Sequence, residues 1–328
     1  MTHPGRNHAD IVFDAIRSRS SAAVSPVAAS WCRSALHHQL DPAGAGRREP
    51  IDSATLALIR EEHAPLLAVA RPVLDQMFRT VGRSGCGVIL SDARGVIIDR
   101  RVGAGDEAGF AEAGLQEGSG WSEAEQGTNG IGTCLFEDQP VIIHRDQHFA
   151  SRNIGISCMD APVHDPNGRL IAALDVSSCR DDHGAAMAEM IAALARDAAR
   201  RIERDYFCYR FDGARIIFLG DDGATGTGLL AVDRDDLVIG ASRAARLRLG
   251  LGDAIFDEPR PLGQLLGSDE APSFEDGDRA VLRQALALSG GNASDAARRL
   301  GIGRATLYRR MARAGIRHGA ILPAKLSH

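Results

Sequence analysis

The sequence predicts a mixed α+β body followed by a separate all-α unit at its end. Three observations carry that expectation. Over residues 54–205, short apolar runs bounded by turn residues lie between two long stretches of helical periodicity, the pattern of an antiparallel sheet covered by helices. Three short amphipathic segments follow within residues 275–328. The charge divides at the same place. Ten basic and four acidic side chains from residue 275 onward give +6, so the preceding 274 residues carry −11 of the formal net −5.

The expected organisation is an N-terminal helical region (1–53), the α+β body (54–205), a short linking segment with strands (206–274) and the all-α unit (275–328). In the body, Leu56, Ile59, Leu66, Leu67, Val73, Leu74, Met77 and Phe78 recur at helical spacing, which predicts one long helix over 54–82. GCGVILSDARGVIID (85–99) reads as strand, turn, strand, with Asp92–Gly95 as the loop. QPVIIHRDQHF (139–149) opens another strand, and ISCMDAPVHDPNGRLIAALDVSS (156–178) reads as two strands about a turn at Asp165–Gly168. An alanine-rich helix is expected from His183 to Arg204. In the linking segment, LLAVDRDDLVIGASRAARLRLGL (229–251) reads as strand, turn, strand, helix, while GATGTG (223–228) is a Gly/Thr turn.

In the last unit, Val281, Leu282, Ala285, Leu286 and Leu288 mark a helix over 278–288. Asn292 caps a second helix running to about Leu300, and Gly301 stops it. A third helix, from about Arg304 to Ala314, buries Leu307 and Met311. Three short helices with a Gly-containing turn before the last have a helix-turn-helix layout, whose final helix enters the major groove of double-stranded DNA. Its expected contact residues are Arg304, Thr306, Tyr308, Arg309 and Arg310, with Asn292 and Ser294 meeting phosphate from the preceding helix.

Composition excludes much else. Hydrophobic residues make up 44% and charged residues 25%, so the chain is not wholly disordered. No run approaches 18 apolar residues, which rules out a spanning helix and predicts no membrane partner. No signal-peptide core opens the sequence, so the cytoplasm is the expected compartment. Cys32, Cys86, Cys134, Cys158, Cys179 and Cys208 are scattered without a CxxC pair and are expected to be free thiols. Cys134 and Cys158 with His144 and His148 show no metal-ligand spacing, so no metal or other cofactor is expected. Asp175 is expected at a strand end in a structural role. Of 38 basic residues the single lysine is Lys325, which leaves no lysine for a Walker A phosphate loop or for Schiff-base chemistry in the body.

Two stretches resemble known families. GGNASDAARRLGIGRATLYRRMARAGI resembles the Fis-type helix-turn-helix at the C-terminus of many bacterial enhancer-binding regulators. The match runs through Asn292, Ser294, Ala296, Ala297, Leu300, Gly301, Ile302, Arg304, Thr306, Leu307, Tyr308, Arg309 and Arg310, and departs at Gly303, where many members carry a polar residue. SWCRSALHHQLDP (30–42), GVILSDARGVII (87–98), GSGWSEAEQGTNGIGTCL (118–135) and HFASRNIGISCMDAPVHDPNGRLIAALDVSS (148–178) resemble the GAF sensor of regulators related to the acetoin-catabolism activator. Its most specific run is Trp121, Glu123, Gly127, Thr128, Asn129, Ile131, Gly132 and Thr133. Within this stretch Trp121, Thr128, Asn129, Thr133 and Phe149 either line a small-molecule cavity or only fold a loop over the sheet. Residues 229–251 are similar to the opening of a PAS-like fold.

The resemblance implies a one-component transcriptional regulator, not an enzyme: a GAF-type sensor, a short PAS-like segment and a helix-turn-helix that binds DNA as a homodimer. In the related activators an ATPase domain of more than two hundred residues stands between sensor and DNA-binding module. Here about 70 residues stand there, and the expectation is sensing and DNA binding without ATP hydrolysis or sigma-54 remodelling. Such a protein acts by ordinary promoter contacts, with RNA polymerase as a further partner, or by occlusion. Two alternatives remain open: a GAF-based cysteine redox enzyme or chromophore protein, and an interaction protein that competes with full-length activators.

Overall fold

The computed structural model describes residues 7–18, 25–44, 49–221, 223, 226–252, 259–267 and 274–316. Arg317, Lys325 and part of the 223–228 turn lie outside them. The chain divides into two compact units, Met1–Asp165 with Arg169–Tyr209, and Pro166–Gly168 with Arg210–His328.

The first unit opens with α1 (His8–Arg17) and α2 (Pro26–Cys32), the latter running on into a π-helical turn at Arg33–His37. Two helices follow, α3 (Ser53–Glu62) and α4 (Ala64–Val81). The single helix expected over 54–82 is thus broken at His63 (φ −95°, ψ 14°). Pro65 explains the break: it has no amide to donate, so it sits without cost in the first turn of a new helix but not inside an old one. Asp52 starts α3 by accepting from the amides of Ala54 (3.0 Å) and Thr55 (2.9 Å).

The strands are β1 (Cys86–Asp92), β2 (Ile97–Arg101), β3 (Val141–His144), β4 (Ser157–His164) and β5 (Leu170–Ser178). They form one antiparallel sheet in the order β2-β1-β5-β4-β3. Between β2 and β3 run α5 (Glu107–Ala113), α6 (Glu123–Gln126) and α7 (Gly130–Glu137); α8 (Ala185–Arg210) follows β5 and extends past the Arg204 expected from sequence.

Strand side chains alternate between faces, so this sheet builds two cores. Val88, Leu90, Met159, Ala161, Leu174 and Val176 pack with apolar residues of α4 and α8. Ile89, Cys158 and Ala173 pack on the opposite side with Phe110, Trp121, Ile131 and Cys134. In the second layer the start of α7 packs closely against the chain that leads into α6. A Cβ on Gly132 would stand 2.5 Å from the Glu123 amide nitrogen and 2.7 Å from the Trp121 carbonyl oxygen.

The second unit contains an antiparallel sheet of β6 (Arg215–Asp221), β7 (Thr227–Val232), β8 (Leu237–Ala241) and β9 (Arg260–Pro261), in that order. Thr227 and Gly228, read from sequence as turn, open β7. Helices α9 (Arg243–Leu249) and α10 (Leu262–Leu266) accompany this sheet. The last three helices are α11 (Phe274–Leu288), α12 (Ala293–Arg299) and α13 (Arg304–Arg313). Leu282, Leu286, Ala296, Ala297, Leu307 and Met311 are at the centre of their shared core.

Because the atoms facing Gly132 are backbone and have no rotamer to escape into, Gly132→Ala is expected to lower stability by about 1–3 kcal/mol. Thermal melting followed by circular dichroism checks this; an unchanged midpoint contradicts the close approach.

Candidate functional site

Helix α13 is held by Leu307 (0% exposed) and Met311 (3%). At about 100° per residue these point one way and Arg309 the other. Arg304, Arg309, Arg310 and Arg313 are exposed, and Thr306 and Tyr308 half-buried. The Arg304 guanidinium lies 5.6 Å from the centre of the Tyr308 ring and 3.4 Å from its hydroxyl, while Arg309 lies 3.4 Å from the Thr306 hydroxyl. Arg304, Thr306, Tyr308 and Arg309 therefore form two adjoining pairs. Tyr308 also packs against the bundle core, so it is a shoulder and not a freely projecting side chain. Arg310 differs: it turns back to Asp278 on α11, 3.5 Å away. Arg313 is exposed on the Arg309 side of the helix, and the sequence reading missed it.

The reading of Asn292 needs correction in one respect. Its Oδ1 accepts from the amides of Ser294 (3.0 Å) and Asp295 (3.3 Å). Those amides are committed to the cap and are not spare donors for a phosphate. The exposed Ser294 hydroxyl keeps that capacity. Gly303, at the N-cap of α13, offers no side-chain cap.

In the first unit, the expected cavity residues are all buried. Trp121 (1% exposed) donates its indole N–H to the Gly114 carbonyl at 3.1 Å. Thr128 meets the Ser30 hydroxyl at 2.7 Å. Asn129 caps α7, accepting from Gly132 N (2.9 Å) and donating to Gly127 O (2.8 Å). Thr133 donates to Glu123 Oε1 at 3.1 Å, and Phe149 packs with Val12 and Trp31. The polar groups of these side chains have hydrogen-bond partners within the protein. A half-open cavity of about 300 Å³ lies beside them, lined by Pro50, Ala111, Gly114, Gln116, Ser119 and Gln126 among others. Trp121 touches its wall through Gly114.

The centre of the packed loop is Glu123, which is 4% exposed. It accepts from the Ser30 hydroxyl, from Thr133, and from Arg33 through Nε (3.1 Å) and Nη2 (3.0 Å). Arg33 also pairs with Glu137 at 2.7 Å and lies 3.9 Å above the Phe136 ring. Burial works against the charge on Arg33, and the two carboxylates hold its pKa up in spite of it. This fork-shaped pairing fastens the N-terminal segment to the loop.

Of the four thiol and imidazole groups expected not to converge, two do. Cys158 Sγ lies 3.4 Å from His148 Nε2, whereas His144 pairs with Ser157 at 2.9 Å. Burial pushes the Cys134 and Cys158 thiols well up and drives His148 down to about 4. Asp175 does not end its strand. It lies within β5, opposite Asp160 of β4 and Ile89 of β1.

Residues 65–202 match the GAF domain model, and residues 273–313 match that of the bacterial regulatory protein, Fis family. The chain carries a GAF domain followed by a Fis-family helix-turn-helix. It is 29% identical over 224 residues to the acetoin catabolism regulatory protein of Cupriavidus necator, covering 67% of this chain and 34% of that protein. It is 31% identical over 211 residues to the propane 2-monooxygenase operon transcriptional activator of Mycolicibacterium smegmatis, covering 60% and 34%. The chain thus spans about a third of the length of these relatives. The fold is similar to that of a chain in the E. coli DhaR(N)-DhaL complex (TM-score 0.50, 17% identity, 70% of this chain and 78% of that one). No described helix is long and apolar enough to cross a membrane.

Removing Arg33 leaves the Glu123 carboxylate buried without its cation. Arg33→Ala is expected to cost about 3 kcal/mol, because an uncompensated buried charge is worse than none, and adding Glu123→Gln should recover part of the loss. Urea unfolding of the three variants decides it; a double variant no better than the single one contradicts the pairing.

Proposed function

We propose that this chain is a one-component, DNA-binding transcriptional regulator, active in the cytoplasm as a homodimer, whose GAF domain senses a small molecule. The observation that carries this reading is the arginine-bearing face of α13, held outward by Leu307 and Met311. Arginine donates two parallel hydrogen bonds to guanine or phosphate, and it keeps its charge at any physiological pH. Arg304 and Arg309 are the base-contacting pair. Ser294, Arg310 and Arg313 serve phosphates, and RNA polymerase is a downstream partner.

The effector site is the cavity by Gln116, Ser119 and Gln126, with Trp121 as its rear support. Gln126 is anchored by Arg152 at 2.7 Å, so an occupant that engages Gln126 pulls on the neighbouring loop. A ligand shifts the protein between states only by its differential affinity for them. Support for self-association comes from Met187, Met190 and Leu194, which expose an apolar stripe on α8. No nucleotide-driven step is proposed, because a chain whose single lysine is Lys325 has none to serve a phosphate loop in its body. The redox-enzyme alternative is disfavoured by the thiols themselves: Cys134 and Cys158 are buried and held protonated, and the thiolate is the reactive form.

One titration tests the regulator. Fluorescence anisotropy of promoter duplex against the full chain should show a preference over random duplex that ATP and Mg²⁺ leave unchanged. Arg304→Ala with Arg309→Ala should abolish the preference, and Arg310→Ala with Arg313→Ala should flatten the slope of log affinity against log salt by about 2. A small molecule that raises the melting temperature should move the same isotherm. Preference retained by the first double variant defeats the α13 assignment, and an isotherm that responds to ATP defeats the motor-free reading.

A further inference from the structure

Cys158, Asp160 and Asp175 meet on the sheet face beneath α7. Their Sγ and carboxylate oxygens all lie within 4.8 Å of one another, and the residues are 2%, 0% and 0% exposed. Register brings them there. Asp160 and Asp175 are direct cross-strand partners, and Cys158 lies opposite Ser177, so all four project from one face. The start of α7 closes over them; a Cβ on Gly130 would collide with Asp160 Oδ2.

The cluster is short of hydrogen-bond donors. Ser177 Oγ lies 2.9 and 2.7 Å from the two Asp175 oxygens and 3.2 Å from Cys158 Sγ, yet it has one proton to give. Neither carboxylate oxygen of Asp160 has a hydrogen-bond partner. Two carboxyls this deep are neutralised either by a proton shared between them or by a cation, since unpaired buried charge is far more costly than a paired one. Burial raises both carboxyls, Asp175 to about 7 against the hydrogen bonds it makes, and the neighbouring Asp175 charge raises Asp160 further.

His148 supplies an independent pointer. Its Nδ1 lies 2.9 Å from the Arg145 carbonyl oxygen, which fixes the N–H there and leaves the Nε2 lone pair facing Cys158 Sγ at 3.4 Å. A buried imidazole oriented by a backbone carbonyl, with its other nitrogen on the thiol, fixes Cys158 beside the two carboxyls, as an outer-shell partner fixes a metal ligand.

We propose that Cys158, Asp160 and Asp175 hold a divalent transition-metal ion of the Zn²⁺ or Co²⁺ type, with His148 orienting the thiol from behind. The mixed sulfur and oxygen set suits a borderline cation; Mg²⁺ and Ca²⁺ prefer oxygen alone. Binding expels the Cys158 thiol proton and any proton shared between the carboxyls, so occupancy rises with pH. The ion ties β4 and β5 together under the first turn of α7. The proposal stands independently of DNA binding.

The test is titration of the metal-free full-length chain with Co²⁺, followed by absorption. One equivalent should saturate a thiolate-to-cobalt charge-transfer band in the near ultraviolet, and Zn²⁺ should then bleach it. Cys158→Ser should lose the band. Asp160→Asn should weaken binding about ten- to a hundredfold, with its fold confirmed by far-ultraviolet circular dichroism. It removes a buried charge at constant shape, so it serves as the decisive variant if Cys158→Ser does not fold. Absence of the band at one equivalent overturns the proposal. So does a band that Asp160→Asn leaves unchanged, which would assign the cobalt to another thiol such as the exposed Cys208.

Discussion

A carboxylate removed from water must be answered by something, and the first unit is organised around the different answers. Glu123 has Arg33 and two hydroxyls from opposite directions, which binds the N-terminal helices to the α6–α7 loop. Asp92 stays within its own hairpin, accepting from the amides of Arg94 and Val96 at 2.9 Å. Asp138 and Glu203 share His164, at 2.7 and 2.6 Å, and hold the imidazole's pKa up although burial opposes its charge. Asp160 and Asp175 have only each other and a serine. The sheet could bury aliphatic side chains at those two positions, and the residues there instead are carboxyls that burial pushes toward the protonated form.

The three-helix bundle of the second unit obeys a different constraint. Its core is small and built partly of alanine, with Ala285, Ala293, Ala296, Ala297 and Ala314 among its buried residues. Small side chains let the three helices approach closely, but they bury little apolar area each. Position is thus set by a few larger groups, chiefly Leu282, Leu286, Leu307 and Met311, and by the Asn292 cap. Within the same unit Arg283 reaches Asp235 in the turn between β7 and β8, at 3.2 Å, which gives the bundle a polar attachment to that sheet.

Much of this was legible in the sequence, for reasons that are local. The β1–β2 and β4–β5 pairs show as apolar runs around turn residues, and α12 and α13 as a capped and an amphipathic segment. Pro65 was equally visible, and reading through it joined two helices into one. What could not be read is whatever depends on register or distant contact. Asp175 seemed to end a strand because the polar residues after it, Ser177 and Ser178, look exposed, yet both are buried where β1 and β4 flank them. Arg33 and Glu123 are ninety positions apart. Cys158, Asp160 and Asp175 share a site only because β4 pairs with β5 in one particular alignment. The candidate pocket residues look polar enough to hold a ligand, and their polar atoms are bonded to backbone groups, Ser30 and Glu123, partners that sequence spacing does not show.

The ion pair between Arg310 and Asp278 gives the bundle an internal stand-in for a phosphate. Both side chains are about half exposed, so the pair contributes less than about 1 kcal/mol and is easily surrendered. In the free protein Arg310 is parked on its own scaffold; beside a duplex it can trade that partner for a backbone oxygen. Asp278 is then left near the nucleic acid, where its charge opposes loose electrostatic adhesion. On the proposed reading, an exchange of this kind lowers affinity for every duplex by the same small amount and leaves discrimination between sequences to the other contacts.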